Sequence, residues 1–194
     1  MENTSPNYSS FINLVRSDLL RYATTASFVS LCRCYFLHPE FRYIFWLRAS
    51  AVSKRYRILL LLYLISRLML RRIGYSYGIS IPYNTTIGPG FYIGHTGGIV
   101  VNPRAIIGKN CNISCGVVIG ETFRGARKGI PSIGDYVYMA PGAKIIGNIS
   151  VGNNVAVGAN CVVTGDLPDN AVAVGVPAKI VSFDGSAGYV VKVV

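Results

Sequence analysis

The sequence is poor in the residues that build metal sites and disulfide frameworks. Its 194 residues include only two histidines and eight acidic residues. The five cysteines contain no Cys-x-x-Cys pair, a common element of zinc and redox sites. We therefore expect no bound metal and reduced thiols, as in a cytoplasmic protein. The first ten residues are polar, which predicts no secretory signal.

Long apolar runs are also scarce, which argues against a transmembrane helix. The one membrane-like run, residues 58–70, contains Arg67 and is shorter than the roughly 20 residues that a span requires. Basic residues flank it, at 54–57 and at 71–72. Such a helix is suited either to packing in an oligomer or to peripheral contact with an anionic membrane surface, and we favour packing.

Acidic residues are scarcest in the N-terminal third of the chain. Residues 1–73 contain 11 Lys and Arg against 3 Asp and Glu, a net charge of +8. These basic residues are interleaved with aliphatic runs, and no nucleic-acid-binding motif accompanies them. We predict that nucleic acid is not a partner, which leaves an anionic lipid or a phosphorylated ligand.

The N-terminal part of the chain has helical periodicity. Apolar residues such as Phe11, Leu14 and Leu19 recur at spacings of three and four. We predict helices over 8–37 and 40–73, separated by His38-Pro39, and an α-helical region over 1–78 that ends at Gly74 and Gly78.

From residue 79 the pattern changes to a strict six-residue period, which neither an α-helix nor an ordinary strand has. Thirteen aliphatic anchors follow this period with two interruptions, and glycine directly follows seven of them. The anchors are Ile81, Ile87, Ile93, Ile99, Ile107, Ile113, Ile119, Ile133, Met139, Ile145, Val151, Val157 and Val163.

A parallel β-solenoid shaped like a three-sided prism accounts for this period. Each hexapeptide forms one short strand and one corner, the anchor points into a narrow core, and glycine or asparagine supplies the corner conformations. The fourth residue after an anchor should also point inward and be small. These residues are Gly97, Cys111, Val117, Val137, Ala143, Val155 and Cys161.

The solenoid is predicted over residues 79–183, followed by a C-terminal tail, 184–194. Residues 120–131 break the period and contain two glycines, so we expect them to form a loop extruded from the coil. Loops held by a rigid scaffold often contact substrate. The candidates for acceptor contacts in this loop are Arg124, Arg127 and Lys128.

Three segments carry a resemblance to a known family. They are Ile93-Gly94-His95-Thr96-Gly97-Gly98-Ile99-Val100, Ala143-Lys144-Ile145-Ile146-Gly147-Asn148 and Gly175-Val176-Pro177-Ala178-Lys179-Ile180-Val181. Together with the loop and the repeats, they resemble the left-handed parallel β-helix acyltransferases. The most similar branch is that of serine acetyltransferases, which includes bacterial capsule and O-antigen polysaccharide O-acetyltransferases. The resemblance implies a mainly β fold, a left-handed parallel β-helix of hexapeptide repeats preceded by a small α-helical region.

The resemblance also implies a chemistry and an assembly. His95 takes the place of the general base that removes a proton from the acceptor hydroxyl, whose oxygen attacks acetyl-CoA directly. The enzymes of this family are homotrimers, and acetyl-CoA lies along the coil edge between two subunits. By position, Ala140, Gly142 and Ala159 would flank the pantetheine arm, and Lys179 would lie near the nucleotide phosphates.

Two departures from the family pattern bear on the acceptor. Serine acetyltransferases carry an aspartate where this chain has Gly94, and an Arg-His pair where it has Gly129-Ile130. Because a serine acceptor needs charged partners, we expect a saccharide instead, such as a capsule, O-antigen or exopolysaccharide unit on a lipid carrier at the inner face of the cytoplasmic membrane. The alternatives are a serine O-acetyltransferase and a non-catalytic trimeric scaffold.

Because Gly94 stands where serine acetyltransferases have an aspartate, another side chain is needed to orient the His95 imidazole. Glu121 and Asp18 are the candidates for this role.

Overall fold

A computed structural model describes residues 11–54 and 60–194. The predicted helix start at residue 8 and the basic residues Arg55 and Arg57 lie outside the described residues.

The described residues of the N-terminal region form four helices, α1 (Phe11–Tyr22), α2 (Phe28–Leu37), α3 (Pro39–Ser53) and α4 (Leu60–Tyr77). The helix predicted over 8–37 is divided after Tyr22, because the Ser27 hydroxyl accepts a hydrogen bond from the Ser30 N–H and starts α2. Gly74 does not end α4. It lies inside the helix, where a Cβ would stand 2.7 Å from the Ile79 carbonyl oxygen. Within the described ranges, no helix is long and apolar enough to cross a bilayer.

The rest of the chain forms a three-sided coil in which the first thirteen strands lie on sheets A, B and C in turn and the last two both lie on sheet C. All neighbouring strands are parallel except the last, β15, which runs antiparallel to β14. Sheet A contains β1 (Ile79–Ser80), β4 (Ile99–Val101), β7 (Val118–Gly120), β10 (Lys144–Ile146) and β13 (Val162–Val163). Sheet B contains β2 (Thr86–Ile87), β5 (Ile106–Ile107), β8 (Ser132–Ile133) and β11 (Ser150–Val151). Sheet C contains β3 (Tyr92–Ile93), β6 (Asn112–Ile113), β9 (Tyr138–Met139), β12 (Ala156–Val157), β14 (Val172–Val174) and β15 (Lys179–Ser182).

The core of the coil is the predicted lattice of anchors. All thirteen anchors are at most 4% exposed, which confirms the six-residue interpretation. Cys111 and Cys161 are fully buried, and burial raises the pKa of the Cys111 thiol to about 12. These cysteines are therefore core residues, as predicted. Gly97 is the exception among the fourth positions, because it lies half-buried at a corner.

The glycines that follow the anchors on sheet B have a different role from the one predicted. Gly88, Gly108, Gly134 and Gly152 stack at one corner, and none of them has a positive φ. A Cβ on Gly134 would lie 2.7 Å from the Gly152 carbonyl oxygen of the next coil. Glycine is required there by close approach of the backbone. The left-handed corner conformations on this side come from other residues: Asn110, Tyr136, Asn154 and Asn170.

The helices cover the open end of the first coil. Arg48 of α3 donates hydrogen bonds to the carbonyl oxygens of Ile87 (2.7 Å) and Gly88 (2.6 Å). The Tyr22 hydroxyl both donates to the Ile93 carbonyl and accepts from its N–H. Tyr43 makes the same pair of bonds with Ile81. These side chains take the place of a preceding coil, so the strand edges are not left unpaired.

We expect Gly134→Ala to destabilise the coil by about 1–3 kcal/mol, because a methyl group must displace backbone in the next coil. The measurement is the midpoint of thermal or urea unfolding. Gly165→Ala is the matched control, since a Cβ at Gly165 meets no atom within 4 Å. Equal midpoints for the two variants would contradict the close-approach explanation.

Candidate active site

His95 lies at the corner where the chain passes from sheet C to sheet A, which we call the CA edge. It follows β3 by two residues and its side chain is exposed. This exposure agrees with the six-residue lattice, in which only the anchor and the fourth residue after it point inward. An exposed imidazole on a rigid corner is available to a ligand in solution.

The imidazole borders a pocket of about 400 Å³. Helix α1, sheet C, the CA edge and the tail all contribute to its walls. The lining residues are Arg21, Tyr92, Gly94, His95, Asn112, Ser114, Tyr138, Pro141, Tyr189, Val191 and Lys192. Two of these lining residues, Arg21 and Lys192, are cations, and none carries a side-chain carboxylate.

Arg21 forms part of the pocket and is only 4% exposed. Its guanidinium donates to the Gly90 carbonyl oxygen (3.4 Å) and to the side-chain oxygens of Asn110 (3.3 Å) and Asn112. Burial lowers the pKa of this guanidinium. Sequence reasoning missed Arg21. The available signal was its spacing of seven from Leu14 and three from Asp18, which places it on the inward stripe of α1.

The tail, residues 184–194, folds back against sheet C and forms a second wall. The Tyr189 ring stacks on Tyr138 with centroids 4.7 Å apart. The Asn112 amide donates to the Tyr189 carbonyl oxygen (3.0 Å), and the Ser186 hydroxyl donates to the Tyr136 carbonyl oxygen (2.6 Å). These contacts bring Val191 and Lys192 to the pocket, which sequence reasoning did not foresee.

The structure does not bring the two candidate carboxylates to His95. Asp18 is fully buried, accepts from Arg48 at 2.8 Å and also accepts from the Phe91 N–H. Glu121 lies at the corner between sheets A and B, where it pairs with Arg104 at 2.6 Å. Within the described part of the chain, His95 donates no hydrogen bond to either carboxylate.

The extruded loop also lies away from His95 within one chain. It leaves the coil between β7 and β8, at the corner of sheets A and B, and is closed by a bridge between Thr122 and Gly129. Arg127 pairs with Asp166 at 2.6 Å, while Arg124 and Lys128 are exposed. Any contact of this loop with a ligand at His95 would have to come from a neighbouring subunit.

The residues assigned to acetyl-CoA share the CA edge with His95. Gly98, Gly116 and Gly142 stack there with positive φ, and a Cβ on Gly98 or on Gly116 would lie 3.4 Å from the Cα of the next glycine in the stack. The Lys144 ammonium ties two turns of this edge by donating to the Gly116 and Gly142 carbonyl oxygens. Ala140 and Ala159 lie on the same edge, and Lys179 begins β15 at its far end.

Comparison with known proteins gives the family. No protein-family model matches the chain. The serine acetyltransferase of Staphylococcus xylosus is 39% identical over 123 residues, 63% of this chain and 57% of that protein. That of Staphylococcus aureus is 42% identical over 108 residues, 56% of this chain and 51% of that protein. The structure of soybean serine acetyltransferase complexed with serine matches with a TM-score of 0.73 and 30% identity, covering 89% of this chain and 70% of that one.

The fold and the CA edge define a hexapeptide-repeat protein of the left-handed parallel β-helix class, as the sequence predicted. Within that class, the chain belongs to the serine acetyltransferase family. It spans between 51% and 57% of the two staphylococcal relatives.

The prediction of a saccharide acceptor is wrong, because these relatives are serine acetyltransferases. The prediction looked for acceptor-binding charges only beside His95 and in the loop. It did not foresee the cations that α1 and the tail bring to the pocket, Arg21 and Lys192.

We expect Asp18→Asn to weaken folding rather than to disturb His95. The substitution leaves the Arg48 guanidinium buried without a counter-charge, which costs about 3–5 kcal/mol. Urea unfolding measures the loss. Asp166→Asn, at the exposed pair with Arg127, is the control and should shift the midpoint little because solvent screens that pair. A stable Asp18→Asn protein with a displaced pH profile of activity would instead assign Asp18 to His95.

Proposed function

We propose that the protein is a serine O-acetyltransferase that uses acetyl-CoA as donor. The observation that carries this proposal is the exposed imidazole of His95 at the rim of a small cationic pocket in a chain of this family. A serine molecule offers such a pocket both a hydroxyl for the imidazole and a carboxylate for the cations.

The reaction is a direct transfer. Neutral imidazole accepts the proton of the serine hydroxyl as the oxygen attacks the thioester carbonyl of acetyl-CoA. The tetrahedral intermediate collapses by breaking the carbon–sulfur bond, and the departing thiolate takes the proton from the imidazolium. No acyl-enzyme takes part. Among the described residues, no cluster of three potential metal ligands occurs.

Acetyl-CoA is proposed to lie along the CA edge. Five strand steps in sheet C separate β3, which precedes His95, from β15, which begins with Lys179, and this is about 24 Å at the usual strand spacing. The intervening residues Ala140, Gly142 and Ala159 are small, so a thin pantetheine arm can approach the backbone. The Lys179 side chain is exposed and can attract the nucleotide phosphates.

The working form is proposed to be a homotrimer. The outward side of sheet A carries a ladder of Val100, Val118 and Val162 in register across the strands, with Lys144 between the last two. Val100 is 46% exposed. An aliphatic sheet face of this kind is suited to burial against a neighbouring subunit.

Helix α4 is proposed to contact an anionic membrane surface. Its first turns expose Leu60, Leu61, Leu64 and Leu68, and the arginines that follow them on the exposed side are Arg67, Arg71 and Arg72. The described helix contains no acidic residue that could neutralise these arginines in a contact between copies. Charge complementarity therefore favours anionic lipid over self-packing, which reverses the preference for packing that the apolar run alone gave.

Replacement of His95 by Ala should lower kcat for serine acetylation about 10²–10⁴-fold, the usual contribution of a general base. Release of free CoA thiol in the presence of serine measures the rate. Sedimentation should show an unchanged trimer. Wild-type turnover in the variant would refute the role of His95. If acetyl-CoA neither raises the unfolding temperature nor is consumed by the wild-type protein, the chain is a scaffold.

Binding to the membrane surface is tested by co-sedimentation with vesicles of neutral lipid containing phosphatidylglycerol. We expect binding that weakens as salt is raised and is lost in the double variant Leu61→Ser and Leu64→Ser. Neutral vesicles are the control. No binding to the anionic vesicles at low salt, with a trimer that dissociates in the double variant, would assign this side of α4 to subunit packing.

A further inference from the structure

The pocket beside His95 contains a buried cation that the protein itself does not neutralise. We propose that Arg21 binds the carboxylate of the acceptor and, with Lys192, makes the enzyme specific for an amino acid. The inference rests on the proposed function and names the residues that recognise its substrate.

The charge of Arg21 is uncompensated. In the part of the chain that the structure describes, Arg21 forms no ion pair with Asp or Glu. The nearby Asp18 is already bound to Arg48 and to the Phe91 N–H. The partners of Arg21 are neutral oxygens, and its buried Nε has none. A desolvated cation in this state is costly, and an anion entering the pocket offsets the cost.

The position of Arg21 fits a carboxylate that belongs to the same small molecule as the reacting hydroxyl. Arg21, Tyr92 and His95 line one pocket of about 400 Å³, and the guanidinium carbon lies 5.7 Å from the centroid of the Tyr92 ring. The side-chain amides of Asn110 and Asn112 hold the guanidinium in place, and because they are neutral they do not neutralise its charge.

Lys192 supplies a second cation from the opposite wall. Its side chain is exposed, and the tail that carries it is held by the stacking of Tyr189 on Tyr138. Because an exposed ammonium is strongly hydrated, its contribution should be smaller than that of the buried guanidinium. The two cations explain how this chain can bind an amino acid without an Arg-His pair at Gly129-Ile130.

The test compares serine with serinamide, which keeps the hydroxyl and the ammonium but lacks the carboxylate. The decisive quantity is the ratio of kcat/KM for serine to kcat/KM for serinamide. We expect Arg21→Gln to lower this ratio roughly 10- to 100-fold, the size of a charge-assisted hydrogen bond. The KM for acetyl-CoA and the pH profile of kcat should not change, since His95 and the CA edge are untouched. Lys192→Gln should lower the ratio less.

Arg16→Gln is the matched control, because Arg16 lies on the exposed side of the same helix. Its ratio should equal that of the wild type. If Arg21→Gln does not fold, as judged by its unfolding temperature, Arg21→Lys and Lys192→Gln test the proposal instead. Both variants should lower the ratio of kcat/KM for serine to kcat/KM for serinamide. Calorimetric binding of serine without acetyl-CoA should follow the same order and needs no turnover.

A ratio that stays at the wild-type value in every folded variant would overturn the role of Arg21 and Lys192. That result is distinct from failure of the proposed function, in which the wild-type protein itself shows no serine-dependent release of CoA and the inference falls with it.

Discussion

The whole molecule depends on how the open end of the β-coil is closed. A stack of parallel strands leaves unpaired N–H and C=O groups at its first turn, and these attract other chains unless they are covered. Here the buried Asp18–Arg48 pair bridges α1, α3 and the first coil, with Arg48 bonded to two carbonyl oxygens and Asp18 to the Phe91 N–H. An ion pair buried in this way is costly unless its remaining donors and acceptors are satisfied, and the strand edge satisfies them. The helices are thereby fixed relative to the corner that carries His95.

This closure also builds the pocket. Asp18 and Arg21 lie one turn apart on the same stripe of α1, so anchoring Asp18 to the coil sets Arg21 beside sheet C. The tail reaches the same place from the other end of the chain by stacking on Tyr138. One structural device therefore stabilises the fold and delivers a buried charge to the site. Because helix packing places Arg21 in the site, this cation does not form part of a local sequence motif.

Much of the coil could be predicted because its rules are local. The anchor of each hexapeptide meets only the turns above and below it, so periodicity alone identified the core and the exposed position of His95. The same reasoning misjudged the glycines after the anchors on sheet B. They are required because the backbone of the next coil approaches closely, and this approach cannot be recognised from the residues of one hexapeptide. Sequence reasoning also joined α1 and α2, because the Ser27 cap interrupts a continuous apolar pattern. The acceptor prediction failed for a related reason, as it counted only charges beside His95 and in the extruded loop.

The sequence by itself determined the coil, its core, the edge that carries His95 with the small residues after it, and the family. Each of these follows from short-range repetition or from a contiguous motif, and both can be recognised in the amino-acid sequence alone. Only the tertiary structure decided the surroundings of the base. Arg21 and Lys192 are separated by most of the chain, and their meeting depends on helix packing, a buried ion pair and an aromatic stack. Hydrogen bonds likewise commit Asp18 to Arg48 and Glu121 to Arg104, because geometry rather than residue type selects the partner of a carboxylate.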